Sequence, residues 1–169
     1  MFIANSTTED IETIFKLYGD AMEHQKKVSS KQWQPFERSL IELEVRENRQ
    51  WKIVIEGEIA CIFAITFNDP LIWKEKDIDP SIYIHRIVTH PHFRGRGFVK
   101  VIIKWARDYA QKLGKKFIRI DTWGDNKKIN DYYKSCGFEY LGVTPMNNTE
   151  GLPKHYEGLV LSLLQIEIN

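Results

Sequence analysis

Ile87-Val88-Thr89-His90-Pro91-His92-Phe93-Arg94-Gly95-Arg96-Gly97-Phe98-Val99 is the stretch of this chain from which the fold is read. Its first three residues end a β-branched, extended run that starts at Ile82, and His90-Pro91 closes that run. Beyond the loop, Val99, Ile102, Trp105, Ala106, Tyr109, Ala110 and Leu113 recur at helical spacing, with Gly114 at the end. A buried strand is thus joined to an amphipathic helix by a short loop with two glycines and two arginines. Such a junction presents free backbone N–H groups and the positive end of a helix dipole, a combination suited to phosphate or pyrophosphate. Glycine lets the backbone approach an anion, and arginine adds charge-assisted contacts. The same residues also fit a plain strand-to-helix turn with solvated arginines. A P-loop is excluded because no G-K-[ST] follows, and Lys100 stands where G-x-G-x-x-G needs its third glycine.

Working outward, Phe2 to Ala4 reads as a short strand. Thr7 or Thr8 with Glu9 and Asp10 starts a helix carrying Ile11, Ile14, Phe15, Tyr18 and Met22. Pro35 suits the first turn of a second helix with the stripe Phe36, Leu40, Leu43 and Val45. Gln50 to Glu56 alternates, Gly57 turns, and Ile59 to Phe67 is almost continuously apolar, which predicts a hairpin whose second strand is buried on both faces. Asn68 to Pro80 reads as a polar loop carrying Trp73. Phe117 to Thr122, Phe138 to Val143 and Tyr156 to Ile166 read as strands, with a short helix from Lys127 to Cys136 ended by Gly137. The order β-α-α-β-β-β-α-β-α-β-β implies an α+β architecture on one mixed sheet, with Ile82 to Thr122 as its parallel crossover.

The chain of 169 residues is the length of one compact domain, 1–169, able to bury roughly two-thirds of its unfolded surface. Lys and Arg number 24 against 23 Asp and Glu, so a net charge of +1 gives no broad footprint for nucleic acid. No apolar run approaches the ~20 residues of a membrane span, and Met1 to Thr8 lacks the regions of a signal peptide. The expectation is a cytoplasmic protein without membrane or nucleic-acid partners. Cys61 and Cys136 form no C-x-x-C, and His90 and His92 have no further ligands nearby in sequence, so no metal is expected.

Arg94-Gly95-Arg96-Gly97-Phe98-Val99, preceded by Pro91, resembles the R-x-x-G-x-[GA] acyl-CoA signature of the GNAT superfamily of N-acetyltransferases, with Val99 in place of the final small residue. Asn126-Lys127-Lys128-Ile129-Asn130-Asp131-Tyr132-Tyr133-Lys134-Ser135-Cys136-Gly137-Phe138 resembles the family's N-x-x-[apolar]-x-x-x-Y-x-x-x-G-F segment, in the expected order. The resemblance implies a GNAT-like acyl-CoA N-acyltransferase fold, a central twisted mixed sheet of about seven strands flanked by about four helices. It implies acetyl-CoA as cosubstrate. The pyrophosphate would lie on the amides of Arg94, Gly95, Arg96, Gly97, Phe98, Val99 and Lys100. The pantetheine arm would pair with the splayed strand end Ile87, Val88 and Thr89. Asn126 would contact the CoA arm, and Tyr133 would stand beside the thiol.

Tyr133 then reads as a general acid for the leaving thiolate, against packing as the other reading of two adjacent tyrosines. His85 titrates near neutrality and reads equally as general base or as a histidine bonded within the sheet. Arg86 reads as a clamp for an acceptor carboxylate or as an ion-pair partner. Trp33, Trp73 and the Lys154-His155-Tyr156 run, with His155 at its centre, are the nominees for the acceptor pocket, and each aromatic reads also as packing. The function implied is acetyl transfer from acetyl-CoA to a primary amine by direct attack in a ternary complex, with a small amine as partner and a homodimer compatible with it. The alternatives are a non-catalytic acyl-CoA sensor and an enzyme acetylating a protein N-terminus or lysine. The acceptor, the acyl length, the base and the oligomeric state stay open.

Overall fold

The structure, a computed structural model, describes residues 1–147, 149–152 and 156–168. Its contacts divide the chain into two compact units, Met1–Ile65 with Arg86–Phe98, and Thr66–His85 with Val99–Asn169. The described residues form seven strands and five α-helices, one short α-helix more than the hydrophobic pattern predicts.

In the first unit β1 (Phe2–Asn5) pairs antiparallel with β2 (Gln50–Ile55), and β2 pairs antiparallel with β3 (Glu58–Thr66). Glu56 and Gly57 both take positive φ, +52° and +85°, the conformation a two-residue hairpin turn needs. A capping box opens the first helical segment: the Thr7 N–H donates to Asp10 Oδ2 at 2.7 Å. Helix α1 (Ile11–Val28) then buries Ile11, Ile14, Leu17 and Tyr18 against Ile41 and Val45 of α2 (Arg38–Arg46), with Phe36, Ile62 and Val88. Two details differ from the sequence reading. Pro35 lies outside α2, because Phe36 is already seated on Tyr18, ring centroids 4.8 Å apart, before the helix begins at Arg38. The buried side chains of α2 are Ile41, Glu44 and Val45, and the burial of Glu44 has an electrostatic cause given below.

In the second unit β4 (Ser81–Thr89, its first five residues here) runs parallel to β5 (Phe117–Trp123), joined to it through α4 (Phe98–Lys112). β5 pairs antiparallel with β7 (Val160–Glu167), and β7 with β6 (Glu139–Pro145), so the strand order is β1-β2-β3-β4-β5-β7-β6. Parallel and antiparallel pairs together make the seven-stranded mixed sheet expected. The segment read as a loop from Asn68 to Pro80 is instead α3 (Pro70–Trp73) followed by a 3-10 turn, Lys74–Ile78. Trp73 drives that folding: it is 1% exposed and packs with Ile72, Tyr83, Met146, Leu161 and Leu163. The last strand begins at Val160 and not at Tyr156.

The parallel register of β4 and β5 covers Ser81–Tyr83 against Phe117–Arg119. It stops two residues short of His85 and of Asp121, and what lies beyond that point is chemically the richest part of the sheet.

Candidate active site

The loop from Arg94 to Gly97 takes the conformation its glycines allow. Gly95 and Gly97 have φ of +80° and +69°, and a Cβ built on either would meet nothing within 4 Å. Backbone conformation, not crowding, therefore selects glycine at both positions. Helix α4 starts at Phe98, so the loop leads straight into a helix N-terminus. The two arginines are exposed. Arg94 Nη1 lies 3.4 Å from His24 Nδ1, and the Arg96 guanidinium sits 5.0 Å from the Phe93 ring. Burial, with the Arg94 charge, holds the His24 imidazole below its usual range. Val88 is buried, and Ile87 and Thr89 are half-buried.

Asn126 caps α5 (Lys127–Ser135): its Oδ1 accepts the Ile129 N–H at 3.1 Å. The residue nominated for the CoA arm thus also caps the helix. On α5 the adjacent tyrosines separate, Tyr133 8% exposed and Tyr132 41% exposed. Tyr133 packs edge-on against Phe138, ring centroids 5.8 Å apart.

His85 stands between two carboxylates that sequence reasoning missed. Its Nε2 is 3.3 Å from Asp69 Oδ2, and its Nδ1 is 3.6 Å from Asp121 Oδ1. The three side chains are 18%, 8% and 6% exposed, respectively. Burial pushes the Asp121 carboxyl up to about 6; His85 opposes the rise and the Asp69 charge adds to it. Asp69 precedes α3 without capping it, so its carboxylate remains available, while its own N–H donates to Asp77 Oδ1 at 2.7 Å. The ligand atoms of the three residues lie within 4.8 Å of one another, a donor set a cation could also use.

Next along β4, Arg86 has φ +50°, unusual for a residue with a side chain, and pairs with buried Glu44 at 2.5 Å. Its guanidinium lies 5.8 Å from the Tyr18 ring and 5.1 Å from the Phe36 ring. Of the two readings for Arg86, the ion pair is the one present. Arg119 is fully buried. It donates to Tyr83 Oη at 3.2 Å, to Asp79 Oδ2 at 2.8 Å and to the Lys76 carbonyl, and it lies 4.9 Å from the Trp73 ring. It ties the turn after α3 to β5.

Trp33 is half-buried between α1 and α2, 6.2 Å from Tyr18 and 5.7 Å from Phe36 by ring centroid. Trp73, nominated for the acceptor, is a core residue instead. His155 and Lys154 lie outside the described residues. His90 Nδ1 accepts the His92 N–H at 3.3 Å, so this pair is occupied with itself. A signal for the missed residues did exist: Phe117-Ile118-Arg119-Ile120-Asp121 places two charges at period two inside an otherwise apolar strand.

A family model described as Acetyltransferase (GNAT) family matches residues 11–138. A GNAT-family acetyltransferase of Listeria monocytogenes shares the fold with a TM-score of 0.81 at 24% identity, covering 99% of this chain and 94% of that one. An acetyltransferase of Salmonella typhimurium, yncA, solved with its cofactor acetyl-CoA, aligns at 15% identity with a TM-score of 0.71, over 100% of this chain and 94% of that one. YesJ of Bacillus subtilis, named as an uncharacterized N-acetyltransferase, is 28% identical over 75 residues, 44% of this chain and 42% of that protein. The chain therefore matches less than half the length of that curated relative.

Proposed function

Because the chain belongs to the GNAT acetyltransferase family, we propose that it moves an acetyl group from acetyl-CoA to a primary amine by direct attack in a ternary complex. The whole of 1–169 acts here as one catalytic domain. The observation that carries the reading is the Arg94–Gly97 loop, with two left-handed glycines running into the α4 N-terminus. That loop offers backbone amides, a helix dipole and two exposed arginines to a pyrophosphate. Asn126, Ile87, Val88 and Thr89 take the CoA arm.

His85 accepts the amine proton, directly or through water, and the freed lone pair forms the C–N bond as the C–S bond breaks. Tyr133 gives its phenolic proton to the departing thiolate. No covalent enzyme intermediate is needed. Cys61 is fully buried, and burial pushes its thiol up to about 12, far from a thiolate at neutral pH. Trp33 is retained as an acceptor-side residue, small amines are the partner class, and the compartment is the cytoplasm.

Calorimetry of CoA binding tests the reading. Arg94→Ala and Arg96→Ala are each expected to weaken binding by about 1.5–3 kcal/mol; unchanged affinity in both removes the site. A second measurement addresses the acid. Tyr133→Phe is expected to slow single-turnover acetyl transfer by ~10²–10⁴-fold with acetyl-CoA affinity nearly unchanged, and Tyr132→Phe to leave the rate near the parent's. Equal rates for Tyr133→Phe and the parent reduce the tyrosine to a wall of the site.

A further inference from the structure

The proposed mechanism uses His85 and leaves its two carboxylate neighbours without a task. Asp69 Oδ2 and Asp121 Oδ1 are buried and make no hydrogen bond among the described residues. Each points at a different nitrogen of one imidazole, at 3.3 and 3.6 Å. A buried carboxylate oxygen is satisfied only by a donor, and a ring nitrogen donates only when it carries hydrogen. Both contacts are satisfied at once when two protons are shared among the three groups, as an imidazolium between two carboxylates or as a neutral imidazole with one carboxyl protonated. Either way the cluster carries a net charge of −1. Removing one of these protons sets a lone pair against a lone pair and leaves −2 in a place that is less than one-fifth exposed at every member.

We infer that Asp69 and Asp121 are positioning residues that bind His85 into one proton-holding unit, so that the base acting on the amine is Asp69–His85–Asp121 together. The inference rests on the acetyl-transfer reading. In its −2 form the unit draws in and deprotonates an acceptor that arrives as an ammonium, which assigns the acceptor to amines protonated at neutral pH. The ammonium gives one proton to the unit, the amine lone pair forms the C–N bond, the second N–H proton passes to water as the C–S bond breaks, and the thiolate takes the Tyr133 proton. The unit returns its proton to water along the exposed edge of His85, and Tyr133 is reprotonated from water. The sum is R–NH3+ plus acetyl-CoA giving the amide, CoA–SH and one released proton.

The charged and titratable groups on the packed elements include Asp77, bound to the Asp69 N–H, Tyr83 two residues before His85 on β4, and Arg119 two residues before Asp121 on β5, itself engaged by Asp79 and Tyr83. Leu163, opposite Asp121 on β7, is apolar. Burial raises the Asp121 carboxyl, and the Asp69 charge adds to the rise against the opposing His85.

The test follows the His85 ring by NMR across pH in the full chain, assigned against His85→Gln, in the parent, Asp121→Asn, Asp69→Asn and Asp121→Glu. Each Asn variant removes one negative charge from the imidazole, so its titration midpoint is expected to fall by about one pH unit or more, and the Glu variant to stay near the parent. The acidic limb of thiol release from acetyl-CoA, measured with spermidine, phenethylamine and a tripeptide as probe acceptors, is expected to move with it, while calorimetric CoA affinity holds. Midpoints unmoved in both Asn variants overturn the unit. So does activity lost to EDTA and restored by a divalent metal, which would make the same atoms metal ligands. CoA binding with no thiol release from the parent sinks the acetyl-transfer reading and the unit's role with it, whereas an active parent with an unshifted limb sinks the unit alone.

Discussion

His85 and Arg86 are neighbours on β4, and each meets buried carboxylate, yet the two sites are different devices. Arg86 faces one carboxylate, Glu44, between the rings of Tyr18 and Phe36. His85 faces two, one on each ring nitrogen. A guanidinium keeps its proton at any pH a protein survives, so the Arg86 pair is a fixed charge balance inside the first unit. An imidazole gives up its proton near neutrality, so the same electrostatic arrangement around His85 becomes a store of exchangeable protons. Burial of a cation with its counter-ion serves packing or chemistry according to whether the cation can be titrated.

The comparison breaks most sharply at Glu44. Glu44→Ala removes the carboxylate paired with the Arg86 cation and is expected to cost ~3–5 kcal/mol in urea unfolding, while the double variant Glu44→Leu, Arg86→Met is expected to return close to the parent. A double variant as unstable as the single one would mean that packing, not charge, sets the loss. Asp121 probes the other side. Its folded carboxyl stands at about 6 against an ordinary 3.8, so the folded state holds the extra proton between those values. Stability from this group is complete below pH ~4 and is lost as pH rises through about 6, by up to ~1.4 kcal/mol per pH unit. Urea unfolding of the parent and Asp121→Asn from pH 4 to 7 is expected to favour the variant increasingly toward pH 6, and parallel curves would contradict it. Arg86→Lys sharpens the contrast with the smallest effect. It keeps the charge but loses the planar fork over Phe36, and is expected to cost about 1 kcal/mol with no change in the pH dependence of thiol release.

How far the chain could be read in advance depends on how local each signal is. The helix start at Thr7, the Gly57 turn and the α4 stripe are decided by residues a few positions apart, and each forms where expected. Asn68 to Pro80 differs from its expectation because its polarity describes a surface loop, while the indole of Trp73 folds the segment down by packing on Tyr83 and Arg119. The α2 stripe holds at Phe36, Leu40 and Val45 but is incomplete at Glu44, for a related reason. Helical periodicity ranks Glu44 as a surface residue, and the cations of Arg86, 42 positions later, and Arg49 make its burial tolerable.

Sequence alone determined the order of strands and helices, the parallel crossover from Ile82 to Thr122, the glycine-bearing loop at the head of α4 and the family motif around Asn126 and Tyr133. These depend on periodicity, caps and backbone conformation, which short stretches of chain carry complete. Tertiary structure alone decided which charges are buried and with whom: Asp69 and Asp121 on His85, Glu44 on Arg86, Asp79 on Arg119. A charge enters the interior only with a partner, and that partner comes from a distant element whose position the folded sheet sets.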